Sequence, residues 1–472
     1  MKKIFGIGAI SLLFLNVSAQ KKSPVGRWEG ILNVGIELRI VFNVKEEPGG
    51  KLSATTDSPD QSAYDIPVDS VTFQADTLSF FLSALQASYI GHMVNDSVIQ
   101  GELMQGIPFP LTLKRTAKKS GEKVRAQTPV PPYPYREEKI TYFNADSSIK
   151  FGATLTIPQG KGPFPALVLI SGSGPQDRNS NVLGHALFHV LADHLTKNGV
   201  IVLRYDERGI GESSGVFAGA TSADFAKDVH TAVDQLLLRS ETDRKKIGLV
   251  GHSEGGMIAP MVASSRKDVS FLVLLAAPGV PTIELMALQN EAIALSNGMS
   301  ESLAKNIGPL FKGMTYAITG AETNEQARTA ATAFLNDWTR GKDSSTLESL
   351  NLLNPAKREE YLLAMVEQLR SPWFLYFTRF DPTPNLQKLT GKVLALNGTR
   401  DIQVIHSQNL SGIASALKKS KVRKFEIREI EGLNHLFQSC RTCTLDEYRE
   451  LDESFSPVAL NMISDWINKE IK

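Results

Sequence analysis

Ile247-Gly248-Leu249-Val250-Gly251-His252-Ser253-Glu254-Gly255-Gly256 runs from an apolar segment into a cluster of small residues around a single serine, and then into a helical stretch. Strand, sharp turn and helix in that order form the context of a nucleophile elbow. Small residues beside the serine let the backbone turn tightly and hold the hydroxyl exposed above a sheet. The pattern Gly-His-Ser-Glu-Gly alone also arises by chance in turns, so its surroundings decide the fold.

Those surroundings alternate apolar strands with helical segments. Ala166 to Ile170, Val200 to Leu203, Phe271 to Leu275 and Val393 to Leu396 are continuous apolar runs, as parallel strands covered on both faces require. Between them, stretches such as Ala223 to Leu238 place apolar residues at helical spacing. The expected fold is α/β, a doubly covered sheet occupying residues 138–472. From about 281 to 382 the strand signal gives way to Ala-, Leu-, Met- and Glu-containing segments, read as a helical insertion where such folds commonly carry a lid.

The N-terminal part has a different pattern. Glu37 to Phe42, Leu78 to Leu82 and Val98 to Gly101 are short strand-like runs separated by turn residues, with Glu46 to Gly50 as a hairpin connection. Residues 20–117 are therefore expected to form a small all-β domain, a barrel or sandwich. Residues 118–137 collect Lys, Ser, Gly and four prolines, the composition of a solvated linker. No internal repeat is present.

A serine hydroxyl is a poor nucleophile at neutral pH and needs a base, itself oriented by a third group. Asp401 follows the strand Val393 to Leu396, and His435 follows the strand-like Phe425 to Ile430, giving the chain order Ser253, Asp401, His435. Asp401 has an alternative role as a turn or helix-capping residue. Among the eight histidines, His406 is the competitor for the base. The tetrahedral intermediate needs backbone donors aimed at its oxyanion. The amide of Glu254 is one candidate, and the loop Ser171-Gly172-Ser173-Gly174-Pro175 offers Ser173 or Gly174 for the other.

Together these residues resemble the α/β-hydrolase superfamily, and within it bacterial exported carboxylesterases related to the serine aminopeptidase-like group. The resemblance runs from about Glu138 to Ile471 and includes Tyr205-Asp206-Glu207-Arg208-Gly209-Ile210-Gly211-Glu212-Ser213 and Leu433-Asn434-His435-Leu436-Phe437-Gln438. It implies that Ser253 attacks an acyl carbonyl, His435 moves the proton, Asp401 holds the imidazole, and Asp206 and Arg208 pin a loop beside the site. It implies no metal or organic cofactor. The expected substrate is a small-molecule ester. The alternatives are a peptidase or amidase using the same triad, and a surface-glycan binding protein with an inactive hydrolase domain.

Composition narrows the partners. Among 472 residues, 51 basic and 50 acidic side chains nearly cancel, and no Lys/Arg-dense stripe is present, so nucleic acid is not an expected partner. Met1-Lys2-Lys3, the apolar run Ile4 to Leu15 and Val17-Ser18-Ala19 read as a cleaved signal over residues 1–19. That run is shorter than the roughly 20 residues of a membrane span, so export without stable membrane insertion is expected, to the periplasm or beyond. The only cysteines, Cys440 and Cys443, suit a local disulfide in an oxidising compartment; a redox or zinc role is the alternative.

Overall fold

The computed structural model describes residues 22–33, 37–61, 63–82, 87–105, 107–116 and 125–472. The expected signal at residues 1–19 and part of the expected linker lie outside the described residues.

The C-terminal sheet has eight strands: β1 (Arg136–Phe143), β2 (Lys150–Ile157), β3 (Phe164–Ile170), β4 (Ile201–Tyr205), β5 (Thr242–His252), β6 (Val269–Leu275), β7 (Lys392–Gly398) and β8 (Lys424–Ile430). Their spatial order is β1-β2-β4-β3-β5-β6-β7-β8. β2 is antiparallel to both neighbours, and β4, β3 and β5 to β8 pair in parallel. Alternation along β3 explains its continuous apolar sequence. Ala166, Val168 and Ile170 enter the core beneath α2 (Ser222–Leu237) and α3 (Glu254–Ala263), whereas Leu167 and Leu169 enter the opposite core with α1 (Leu187–Lys197). Both faces are buried, so neither tolerates a polar residue.

Between β6 and β7 the chain leaves the sheet for a run of helices from Thr282 to Gln387. They have a core of their own, in which Leu310, Met314, Leu335, Leu362 and Leu369 pack together. The insertion is thus a small helical layer with its own apolar centre.

Nine antiparallel strands between Gly26 and Arg115 form the second sheet. Its first strand, Gly26–Asn33, pairs with its last, Ile107–Arg115, through Trp28 opposite Arg115. Phe42 and Phe80 stack at 4.3 Å although four other strands separate theirs in the sheet order. The sheet therefore curls around an aromatic core that includes Trp28 and Tyr89.

Residues 125–135 differ from the solvated linker that composition suggests. Arg125 is buried and donates to the carbonyl oxygens of Leu451 and Arg449, while Gln127 bonds the backbone of Ser454 and Phe455. Tyr133 stacks on Tyr135, whose hydroxyl donates to Asp193. Polar side chains here satisfy backbone groups of the α/β part, a use that composition does not reveal.

Among the described residues, no helix is long and apolar enough to cross a membrane.

Candidate active site

Ser253 stands between β5 and α3 with φ 54° and ψ −119°, a conformation that non-glycine residues seldom adopt. Close packing forces this turn. A Cβ on Gly251 would lie 2.0 Å from the carbonyl oxygen of Gly255, and one on Gly255 would lie 2.1 Å from that of Ile170. Strand and helix backbones cross here with no room for a side chain. Glu254 is the first residue of α3, so its N–H is among those without an intrahelical acceptor, at the positive end of the helix dipole.

The loop after β3 lies against Ser253, with a Cβ on Gly172 coming 3.1 Å from that of Ser253. Gly174 has φ +90°. Two buried carboxylates hold this loop. Glu207 accepts from the Ser171 hydroxyl at 2.6 Å and the Gln176 N–H at 3.0 Å, and the Ser173 side chain lies close to Glu254. Burial pushes both carboxyl groups up from their ordinary values, and the nearby Glu254 raises Glu207 further.

Asp401 sits in the loop after β7 and uses both carboxylate oxygens. Oδ1 accepts from the N–H groups of Gln403 and Val404 at 2.8 and 2.9 Å, and Oδ2 faces His435 Nδ1 at 2.8 Å. Both side chains are buried. An acceptor at Nδ1 places that ring proton on Nδ1 and leaves Nε2 with a free lone pair. The helix-capping alternative for Asp401 thus accounts for one of its oxygens only.

The loop after β8 is braced at several points. Asn434 Oδ1 accepts from Leu436 and Gln438 N–H groups, both at 3.0 Å, and Asn434 Nδ2 donates to Gln438 Oε1 at 2.9 Å. His252 donates from Nε2 to the His435 carbonyl oxygen at 2.9 Å, and the two rings lie 4.8 Å apart. The serine elbow and the histidine loop are therefore fastened to each other. Burial, together with the neighbouring His435, pushes the His252 imidazole down to about 3.

His406, the competing base, begins the helix His406–Leu417 and points Nε2 toward Glu429 at 4.0 Å. Asp206 takes a bidentate bond from Arg178 and the Glu212 N–H, and Arg208 forms a bidentate pair with Asp228; both hold the loop after β4. Cys440 and Cys443 are joined in a disulfide.

Sequence reasoning did not reach the side chains of Glu207 and Glu254, nor His252 or Trp373. Trp373, in the insertion, donates from Nε1 to Glu254 Oε1 at 3.0 Å. Glu207 carried one signal, an acidic residue between a buried strand and a glycine-rich turn.

An elbow after β5, an acid after β7 and a histidine after β8, on a sheet in which only β2 runs against the rest, define the α/β-hydrolase arrangement. In this arrangement the chain resembles the α/β-hydrolase superfamily. Residues 185–349 match the family model described as serine aminopeptidase, S33. The chain is similar to esterase EstD of Thermotoga maritima, 27% identical over 311 residues; the match spans 66% of this chain and 62% of that esterase. Among solved structures, an esterase of Pyrococcus furiosus is 14% identical with a TM-score of 0.43, covering 75% of this chain and 100% of that one. An α/β-hydrolase of Penicillium sp. sh18 is 17% identical with a TM-score of 0.42, covering 71% and 99%.

Proposed function

We propose that this chain is a serine hydrolase that cleaves carboxylic esters of small or medium acyl groups through an acyl-enzyme on Ser253. The observation carrying this reading is the bond between His435 Nδ1 and the buried Asp401, because it leaves Nε2 as a base on the loop fastened to the elbow. The Ser253 hydroxyl attacks the acyl carbon and passes its proton to His435 Nε2. The imidazolium, stabilised by Asp401, returns the proton to the leaving alcohol, and water then repeats the sequence to release the acid. The N–H of Glu254 and one from Ser173 or Gly174 receive the oxyanion. No metal or organic cofactor enters these steps.

The insertion acts as a lid over this site. Support comes from Trp373, which reaches the residue after the nucleophile. The enzyme is exported to the periplasm or beyond after removal of residues 1–19, a reading supported by the N-terminal sequence and the Cys440–Cys443 disulfide.

The match of residues 185–349 to the serine aminopeptidase model favours a second reading, a peptidase or amidase with the same triad. Hydrolysis of a p-nitrophenyl ester series beside aminoacyl p-nitroanilides separates the two. Ester turnover that disappears in Ser253→Ala supports the esterase, and turnover of anilides alone overturns it in favour of the peptidase.

A further inference from the structure

We infer that Glu254 is a positioning residue whose side chain ties the helical insertion and the loop of Ser173 to the residue donating the oxyanion N–H, so that the seat of Trp373 sets the geometry of the oxyanion hole. The inference rests on the serine-hydrolase reading.

Four chain segments meet at this carboxylate. It projects from the first turn of α3, and its Oε1 accepts from Ser222 Oγ at 2.6 Å, at the start of α2, and from Trp373 Nε1 at 3.0 Å, in the insertion. The Ser173 side chain, on the loop after β3, lies close enough to the carboxylate to help hold its pKa down. The indole is itself fixed: its ring stacks on Phe377 at 4.7 Å and meets Phe374 edge-on at 4.7 Å. Its N–H is therefore aimed by packing.

The geometry separates this role from substrate recognition. Glu254 is only 3% exposed, and its Oε1 already receives two protein donors, from α2 and from the insertion. Its effect on the reaction runs through the groups it holds. Both proposed oxyanion donors belong to segments that it joins: the Glu254 N–H is its own, and Ser173 and Gly174 lie on the loop strung between Glu254 and Glu207. Removal of a whole oxyanion donor costs about 10²- to 10³-fold in kcat, so loosening one costs less.

The test is steady-state ester hydrolysis by the full chain and its Trp373→Phe, Glu254→Gln and double variants, with Ser253→Ala as the reference and melting temperatures as controls. Phenylalanine keeps the ring packing and removes only the N–H. Trp373→Phe is expected to lower kcat roughly tenfold with KM within about twofold, and Glu254→Gln to lower it further. The double variant should be no slower than Glu254→Gln, since both changes break one connection. An increase in KM alone in Trp373→Phe, or unchanged constants, overturns the inference while Ser253-dependent turnover leaves the serine-hydrolase reading standing. Turnover that survives Ser253→Ala overturns both. Should Glu254→Gln fail to fold, Trp373→Phe decides by itself.

Discussion

His252, the residue before the nucleophile, donates its Nε2–H to the backbone carbonyl of His435, 183 residues later, at 2.9 Å. The bond needs a proton on Nε2, which the charged ring would also supply, but burial keeps the imidazole neutral down to about pH 3. In the unfolded chain the same imidazole takes up a proton near pH 6.5. Between these two values the unfolded state holds more protons, so stability falls as the pH is lowered through this window.

His252→Gln keeps a side-chain N–H of similar reach and removes the titration. Its unfolding free energy should depend less on pH between 6.5 and 3 than that of the wild type, by an amount on the order of a few kcal/mol. Urea unfolding at pH 7 and pH 4 measures this. Equal pH dependence in the two proteins would place the effect elsewhere.

Asp60 joins the N-terminal sheet to the α/β part. Its buried carboxylate takes bonds from Arg39 and from Arg449, the latter at 2.7 Å to Oδ2, and Arg449 follows Tyr448, whose hydroxyl accepts from Gln403 Nε2. Burial pulls the Asp60 carboxyl upward, but the bonds from Arg449 and Arg39 outweigh it and hold the group below its ordinary value. Stability from this pair is therefore present above the ordinary carboxylate range and lost as the pH falls through the lowered value. Asp60→Ala removes the carboxylate that both guanidinium groups share and should cost about 3–5 kcal/mol, read by chemical denaturation. A loss below about 1 kcal/mol would show that the contact contributes little.

Gly255→Ala places a methyl group 2.1 Å from the carbonyl oxygen of Ile170, in the crossing that forms the elbow. Neither backbone is free to move, so the variant should lose more than about 2 kcal/mol and most of its activity. Gly160, whose Cβ would meet nothing within 4 Å, makes a control from outside the elbow. With φ +106° there, Gly160→Ala should show backbone strain alone and retain activity.

The parts legible in the sequence are those with local physical signatures. β3, β6 and β7 carry continuous apolar runs because both their faces are buried, and the elbow shows as small residues between strand and helix. Asp401 and His435 stand out because each follows a strand in the order this fold uses. Glu254 and Trp373, 119 residues apart, meet only after the insertion folds back, and no periodicity links them. The same holds for Asp60 and Arg449, separated by 389 residues. Arg125 and Gln127 lie in a segment of linker composition, yet they satisfy backbone groups of Arg449 to Phe455, because composition reports polarity and not the location of the partner.

The central claim is that Ser253 is a nucleophile activated by His435 and Asp401. Intact-protein mass spectrometry after exposure to a fluorophosphonate, followed by peptide mapping, tests it most directly on the wild type and the Ser253→Ala, His435→Ala and Asp401→Asn variants. The account predicts one adduct per chain, on Ser253, absent in Ser253→Ala and slowed by about 10⁴-fold in Asp401→Asn, the scale of losing the residue that orients the base. An adduct on another residue, or labelling of Ser253 that proceeds at the wild-type rate without His435, would contradict it.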